Sequence, residues 1–363
     1  MKAAFWSRRT FLGAGALLPL GESLLDAETL PSDLRKFRDP ATEFDLVRLT
    51  DPAYSSFLPP AHLRSVSQRG NSLLFASDRG GSLQPYRADT KSGEIRQIGN
   101  IRELDSSALS LLPDERSICC FDGASLVHVS GPGQRTRTIY EVPTGWKRAP
   151  GFGLSSDGLQ SVISERNNDV SRLRVIGMSR GVVSTVLELK EPIRDAMPRP
   201  RRAGILYRQG DECWLVNFDG QQNRKLKLAP GGTGPALWSI DGKTVLYLSF
   251  PEDKTKLHQL REYTPDTNED KLIANTSQFV NFTRNVDSSV FVGVSASKAS
   301  PHILLLLRMT RRELTVAEHH ATDPSSVVVV FSPNSQRLFY QTDRQGKPAI
   351  FMMSVDRFVE NTE

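Results

Sequence analysis

Short runs of β-branched and aromatic residues recur along the chain, and most of them alternate with polar residues at a period of two. Such runs predict β-strands, and the Asp-Gly and other charged turns between them predict hairpins. The segment 71–99 contains three predicted strands separated by two such turns, and the segment 327–356 repeats that layout. Helical periodicity is nearly absent, which argues against a helical solenoid or a βαβ fold.

These strand groups recur at roughly 35–45 residues, the spacing of four-stranded propeller blades. A single blade is too small to bury its own faces and must stack on its neighbours. We therefore predict an all-β fold, a seven-bladed β-propeller with four-stranded antiparallel blades, whose ring is closed by an N-terminal strand at 46–50. The predicted blades lie near 66–100, 105–142, 150–190, 195–229, 233–274, 279–317 and 324–358.

The first residues read as an export signal. Arg8 and Arg9 lie in a segment, 7–12, that matches the twin-arginine pattern, and the apolar run after them is too short to span a bilayer. We predict an export signal at 1–27, a lead at 28–43, one propeller domain at 44–358 and a C-terminal tail at 359–363. The expected location is the periplasm or the exterior, without an integral membrane span.

Charge and cysteine content add little to the prediction of function. The formal net charge of +5 includes three basic residues of the signal, so the remainder is too weakly basic to indicate a nucleic-acid partner. The segment 194–227 is locally basic, which fits either a solvated face or an anion-binding surface. Cys119, Cys120 and Cys213 form neither a disulfide framework nor a metal-binding spacing.

Several stretches resemble the oligogalacturonate lyases, and more distantly the TolB-like and WD40-like propellers. They are TIYEVPTGW (138–146), WLVNFDGQQNRKLKLAPG (214–231), LWSIDGKTVLYLS (237–249) and TDRQGKPAIFMMSVD (342–356). The resemblance covers 44–358 and implies a propeller that cleaves pectin oligomers of galacturonate by β-elimination. In that family a histidine is the general base at C5, and manganese, held by histidines and a glutamine, binds the uronate carboxylate.

The chain departs from the family at the positions that the resemblance assigns to this site. Arg208 occupies the position of the base, and arginine stays protonated and cannot take up a proton. The positions matched to the metal ligands are occupied by Pro235, Asn281, Asp323, Ser326 and Val328. Pro235 and Val328 have no side-chain donor atoms, so no manganese or other cofactor is expected and retained lyase activity is in question.

Three hypotheses about function follow. The first is a relative of the lyases that binds an anionic oligosaccharide through Arg208, Arg199, Arg172 and Trp146. The second is an enzyme with relocated catalytic groups, using Tyr207 or a lysine as base. The third is a TolB-like scaffold that binds a periplasmic protein. The histidines are predicted to be ordinary surface or core residues: His62, His128, His258, His302, His319 and His320.

Overall fold

The structure is a computed structural model that describes residues 29–130 and 134–359. The predicted export signal at 1–27, and residues 360–363 of the predicted tail, lie outside the described residues. Apart from two short 3-10 segments, Ser106–Ala108 and Pro324–Ser326, and the helix α1 (Asp356–Val359), the regular structure of the described ranges is β. No helix in these ranges is long and apolar enough to cross a membrane.

The strands of the described chain are short, as expected for propeller blades. In chain order they are β1 (Thr29–Leu30), β2 (Arg35–Arg38), β3 (Asp45–Arg48), β4 (Ser56–Phe57), β5 (Ser72–Ser77), β6 (Gln84–Asp89), β7 (Ile95–Gln97), β8 (Ser110–Leu111), β9 (Ile118–Asp122), β10 (Ser125–Ser130), β11 (Arg135–Glu141), β12 (Lys147–Arg148), β13 (Gly153–Leu154), β14 (Gln160–Asn167), β15 (Val170–Gly177), β16 (Val183–Leu189), β17 (Ile193–Pro198), β18 (Gly204–Gln209), β19 (Glu212–Asn217), β20 (Arg224–Lys225), β21 (Gly232–Trp238), β22 (Val245–Phe250), β23 (Gln259–Thr264), β24 (Glu269–Asn275), β25 (Phe279–Arg284), β26 (Val290–Ser295), β27 (His302–Leu307), β28 (Arg312–Glu318), β29 (Val329–Phe331), β30 (Arg337–Thr342) and β31 (Ala349–Ser354).

These strands form seven separate antiparallel sheets. Blade 1 contains β4 to β7 with β1 at its outer edge, blade 2 contains β8 to β11, and blade 3 contains β12 to β16, where β12 and β13 both pair with β14. Blades 4, 5 and 6 contain β17 to β20, β21 to β24 and β25 to β28, and blade 7 combines β29 to β31 with β3 and β2. The prediction of a seven-bladed propeller with four-stranded antiparallel blades is confirmed.

The ring is closed by strand pairing between the two ends of the chain. Val47 pairs with Met352 and Arg48 with Phe351, so that β3 becomes the fourth strand of blade 7. The predicted closure by an N-terminal strand is confirmed. The segment 28–43, predicted as a lead, supplies β2 to blade 7 and β1 to blade 1.

In each blade the chain makes the same kind of turn between the first two strands. A backbone N–H donates to the carbonyl three residues earlier, which gives one repeated tight turn per blade. At Gly158 and Gly242 this turn requires φ values of 71° and 69°, which glycine adopts at little cost. The seven turns are Ser67–Gly70, Leu112–Glu115, Ser155–Gly158, Arg199–Arg202, Ser239–Gly242, Asn285–Ser288 and Ser332–Ser335.

The run of four valines, 327–330, enters the innermost strand of blade 7. Val327, Val329 and Val330 are buried, because the strand is covered by blades on both sides. Val328 is only half-buried and faces the channel on the propeller axis.

Closure through β3 can be tested at Leu46, which is fully buried against blades 6 and 7. Leu46→Ala should lower the free energy of unfolding by about 2–5 kcal/mol, because it leaves a cavity at the seam of the ring. Urea denaturation measures the change. The control is Asp45→Ala on the same strand, whose side chain is 89% exposed and which should change stability by less than about 0.5 kcal/mol. Equal effects of the two variants would contradict a closing role for this strand.

Candidate functional site

The innermost strands surround an axial channel that contains two cavities. The upper cavity, about 440 Å³, is lined by the beginnings of the inner strands of blades 4 to 7, including Arg194, and by Arg208 on the second strand of blade 4. The lower cavity, about 320 Å³, is lined by the ends of the inner strands, including Trp238 and Arg284. Ala61, His62, Met197 and Leu237 line both cavities, so the two meet at the level of these residues.

A segment that we call the strap, residues 58–64, brings His62 into the channel. It interrupts the inner strand of blade 1, where β4 pairs with β5 before the strap and Val66 bridges to β5 after it. Leu58 packs in the core between blades 7 and 1, whereas Leu63 packs against blades 2 and 3. The strap therefore crosses part of the channel, and the turn from Pro60 to Leu63 directs His62 into the lumen.

The upper cavity brings together four positions that the resemblance assigns to the base and the metal ligands: Arg208, Pro235, Asn281 and Val328. The carboxamide of Asn281 is already engaged, since its Nδ2 donates to the Val327 carbonyl at 2.9 Å and its Oδ1 accepts from the Phe282 N–H at 2.9 Å. Of these four residues Arg208 carries the one charge, and Asn281 keeps one N–H and one oxygen lone pair beyond its two backbone bonds.

Asp323 and Ser326 do not line this cavity. Asp323 caps the 3-10 segment that precedes β29, with its carboxylate accepting from the N–H of Ser325 at 2.9 Å. The Ser326 hydroxyl donates to the Asp323 carbonyl at 2.7 Å, and both side chains are exposed.

The donor set does not fit a manganese ion. Manganese is held by several oxygen or imidazole ligands, whereas Pro235 and Val328 present only carbon to the cavity. Among the described residues that line it, Asp195 supplies the one carboxylate and His62 the one imidazole. Nowhere in the described ranges do three or more His, Cys, Asp or Glu side chains lie close enough to hold a metal ion.

Arg208 links blade 4 to blade 5. Its Nη1 donates to the Thr233 carbonyl at 2.9 Å, its Nη2 donates to the Gly234 carbonyl, and its Nε lies 3.7 Å from Oδ2 of Asp195. A guanidinium carries five N–H groups, so one N–H on each Nη nitrogen has no described protein partner. Arg194 pairs with the same Asp195 carboxylate at 3.1 Å.

Asp195 is held by an irregularity in the inner strand of blade 4. The register of β17 shifts between Arg194 and Met197, and Asp195 has a φ of 54°, in the left-handed region. The connection between β12 and β13 approaches so closely that a Cβ on Gly151 would lie 2.6 Å from the Cα of Asp195. Close packing between blades 3 and 4 thus fixes the position of this carboxylate.

Arg172 and Trp146 form a separate cluster in blade 3. Arg172 donates through Nε to Glu165 at 2.6 Å and stacks on the Trp146 ring at 3.6 Å. The Glu165 side chain is fully buried and also accepts from the Tyr140 hydroxyl at 2.6 Å. Burial, followed by the Glu165 charge, raises the pKa of Tyr140 to about 12. Arg172 does not line the upper cavity: its Nε is bonded to Glu165, and its Nη2 is buried without a described hydrogen-bond partner.

The structure does not bring Arg199 to the upper cavity. Arg199 follows β17 at the lower end of the channel, where its Nε donates to the Gly242 carbonyl at 2.6 Å. Its guanidinium pairs with Asp266 at 3.2 Å and stacks on Trp238 at 5.1 Å. These contacts hold blades 4 and 5 together.

Tyr207, expected as a possible base, is fully buried, and its hydroxyl donates to Oδ1 of Asn223 at 2.7 Å. Burial raises its pKa to about 12, so it does not take up a proton near neutral pH. No lysine lines either cavity.

His62, in contrast, was predicted to be an ordinary surface or core residue, and it lies in the channel. The Leu-Pro-Pro-Ala sequence that precedes it was the available signal, since a pair of prolines interrupts a strand.

Sequence and structure comparisons agree with this geometry. No family model matches the chain. It is 21% identical to the oligogalacturonide lyase of Pectobacterium atrosepticum, over 92% of this chain and 98% of that protein. It is 21% identical to the oligogalacturonate lyase of Dickeya dadantii, over 88% and 95%. The resemblance to oligogalacturonate lyases is confirmed.

The fold agrees with that resemblance. A solved oligogalacturonate lyase in complex with manganese superposes with a TM-score of 0.87 at 20% identity, covering 92% of this chain and 99% of that one. This similarity shows a shared fold over nearly the whole chain, whereas the side chains in the channel decide the chemistry.

A structural role for Arg172 can be tested by removing it alone and together with its partner. Arg172→Met leaves the buried Glu165 carboxylate without its cation and should cost about 3–5 kcal/mol of stability, and adding Glu165→Gln should recover most of that loss. Urea denaturation measures both effects. The control, Arg174→Met, two residues along the same strand, should cost less than about 1 kcal/mol. A stable Arg172→Met variant with weakened sugar binding would instead assign Arg172 to a binding site.

Proposed function

We propose that the upper cavity binds an oligogalacturonide, with guanidinium groups of the protein in the place that manganese occupies in the related lyases. The chain is similar to oligogalacturonate lyases along almost its whole length, and four of the six positions that the resemblance matches to their site line this cavity. The proposed substrate class follows from that similarity, and the proposed mode of binding follows from the residues of the cavity.

The observation that carries the proposal is the position of Arg208 in the upper cavity. Arg194 pairs with two carboxylates, Asp195 at 3.1 Å and Asp211 at 3.3 Å, whereas Arg208 approaches only Asp195, at 3.7 Å from its Nε. Arg208 also has free N–H groups on both Nη nitrogens. An arginine with two such groups can bind a carboxylate in a bidentate manner, and in a narrow channel such a pair is only partly screened by water.

The proposal predicts that Arg208 contributes to affinity and manganese does not. Arg208→Gln should weaken binding of trigalacturonate by about tenfold to a hundredfold, since one charged hydrogen-bonding group is lost. Isothermal titration calorimetry in excess chelator measures the affinity. The control is Arg201→Gln, which removes the same charge from an exposed turn at the lower end and should leave affinity within about twofold.

Binding that requires manganese, or that is unchanged in Arg208→Gln, would contradict the proposal. If the unaltered protein bound no oligogalacturonide at all, the scaffold hypothesis would be favoured instead.

We also propose that the protein is exported by the twin-arginine pathway, on the basis of the sequence at 7–12. Replacing both Arg8 and Arg9 by lysine keeps the charge but removes the pattern that the receptor reads. We expect this variant to accumulate in the cytoplasm, as measured by cell fractionation and immunoblotting. The control replaces Arg35 and Arg38 by lysine, outside the signal, and should be exported normally. Normal export of the first variant would contradict the assignment.

A further inference from the structure

His62 is the histidine of the described chain that lines the axial cavities. Its Nε2 lies 2.8 Å from the carbonyl oxygen of Phe152 in blade 3. A carbonyl only accepts hydrogen bonds, so Nε2 carries the proton and donates it to Phe152. In the neutral ring Nδ1 therefore carries the lone pair. Nδ1 has no hydrogen-bond partner among residues 29–130 and 134–359, so it is available to a ligand in the channel.

The surroundings favour the neutral ring. The protein that encloses the channel disfavours the imidazolium and lowers the pKa of His62 below its ordinary value, and the Phe152 hydrogen bond and the Asp195 charge offset only part of that effect. The ring nevertheless remains exposed to the lumen. A neutral, accessible imidazole held by a backbone carbonyl has the properties of a general base.

The other candidate bases of the upper cavity lack these properties. Tyr207 donates its hydroxyl proton to Asn223 and has a raised pKa, and burial also raises the pKa of the Cys213 thiol. The Asp195 carboxylate is shared between two guanidinium groups, with Oδ2 at 3.1 Å from Arg194 Nη1 and 3.7 Å from Arg208 Nε. His62 is therefore the one imidazole among the described residues that line the cavity, and its Nδ1 is unengaged.

We propose that His62 is the proton acceptor of a manganese-independent β-elimination on a uronate held in the upper cavity. This inference rests on the proposed oligogalacturonide binding. Nδ1 takes the proton from C5 of the uronate, and the electron pair of the C5–H bond passes through the carboxylate-stabilised carbanion into a C4–C5 double bond. The C4–O bond breaks, its oxygen takes a proton from solvent water, and the imidazolium returns its proton to solvent.

Arg208 has a defined part in this step. Negative charge develops on the uronate carboxylate as the proton leaves C5, and the guanidinium of Arg208, on β18 of blade 4, is a fixed positive group that lines the same cavity as His62. Fixed charges that face developing charge stabilise the transition state without rearranging. The role given to manganese in the related lyases would then be taken by a side chain.

The test uses the full-length mature protein with trigalacturonate in excess chelator. Ultraviolet absorbance of the unsaturated product measures turnover, and calorimetry measures binding to each variant. His62→Gln retains an N–H for Phe152 but cannot accept a proton, so we expect at least about a hundredfold loss of turnover with affinity within about twofold. His62→Ala should behave alike and regain part of its turnover when free imidazole is added.

His258→Gln is the matched control, because the His258 ring also bonds a backbone carbonyl, that of Phe279, at 2.8 Å, but it does not line either cavity. This variant should keep turnover and affinity. Binding by the unaltered protein without turnover, or full turnover by His62→Gln, would overturn the role of His62 and leave the proposed function in place. Absence of binding by the unaltered protein would overturn both.

Discussion

Closure of the ring is the constraint on which the rest of the structure depends. Each blade exposes two apolar faces, and only a closed ring covers all of them. The ring closes because β3 pairs with β31 in blade 7. A buried ion pair between Arg344 and Asp39, at 3.2 Å, connects the segment between β2 and β3 to the same blade. Because every blade contributes its inner strand to the channel, closure also brings residues from distant parts of the chain around one cavity.

The candidate site is built where the inner strands depart from regular pairing. The strap interrupts blade 1 and carries His62, and the register shift in β17 positions Asp195. A further shift between Thr233 and Ala236 lies beside the two carbonyls that accept from Arg208. Regular strands direct their side chains into the packing between blades, so irregular backbone is what frees polar groups for the lumen. The blades supply stability and the irregular segments supply chemistry.

The sequence predicted the blades well because strand periodicity and turn residues are local signals. It also predicted that Arg208, Pro235, Asn281 and Val328 belong together, through resemblance to a family of known arrangement. It did not predict the position of His62, because strand periodicity gives no information about the direction of a side chain in an irregular segment such as the strap. A basic segment likewise cannot show which arginines are engaged: Arg199 pairs with a residue 67 positions away in the chain.

The central claim is that guanidinium groups, and not manganese, hold a uronate in the upper cavity. The most direct measurement is a crystal structure of the His62→Gln variant grown with trigalacturonate and manganese, with data collected at the manganese absorption edge. The account predicts a uronate carboxylate against Arg208 and no anomalous peak in the upper cavity. A manganese peak in that cavity, or an oligosaccharide bound elsewhere on the propeller, would contradict it.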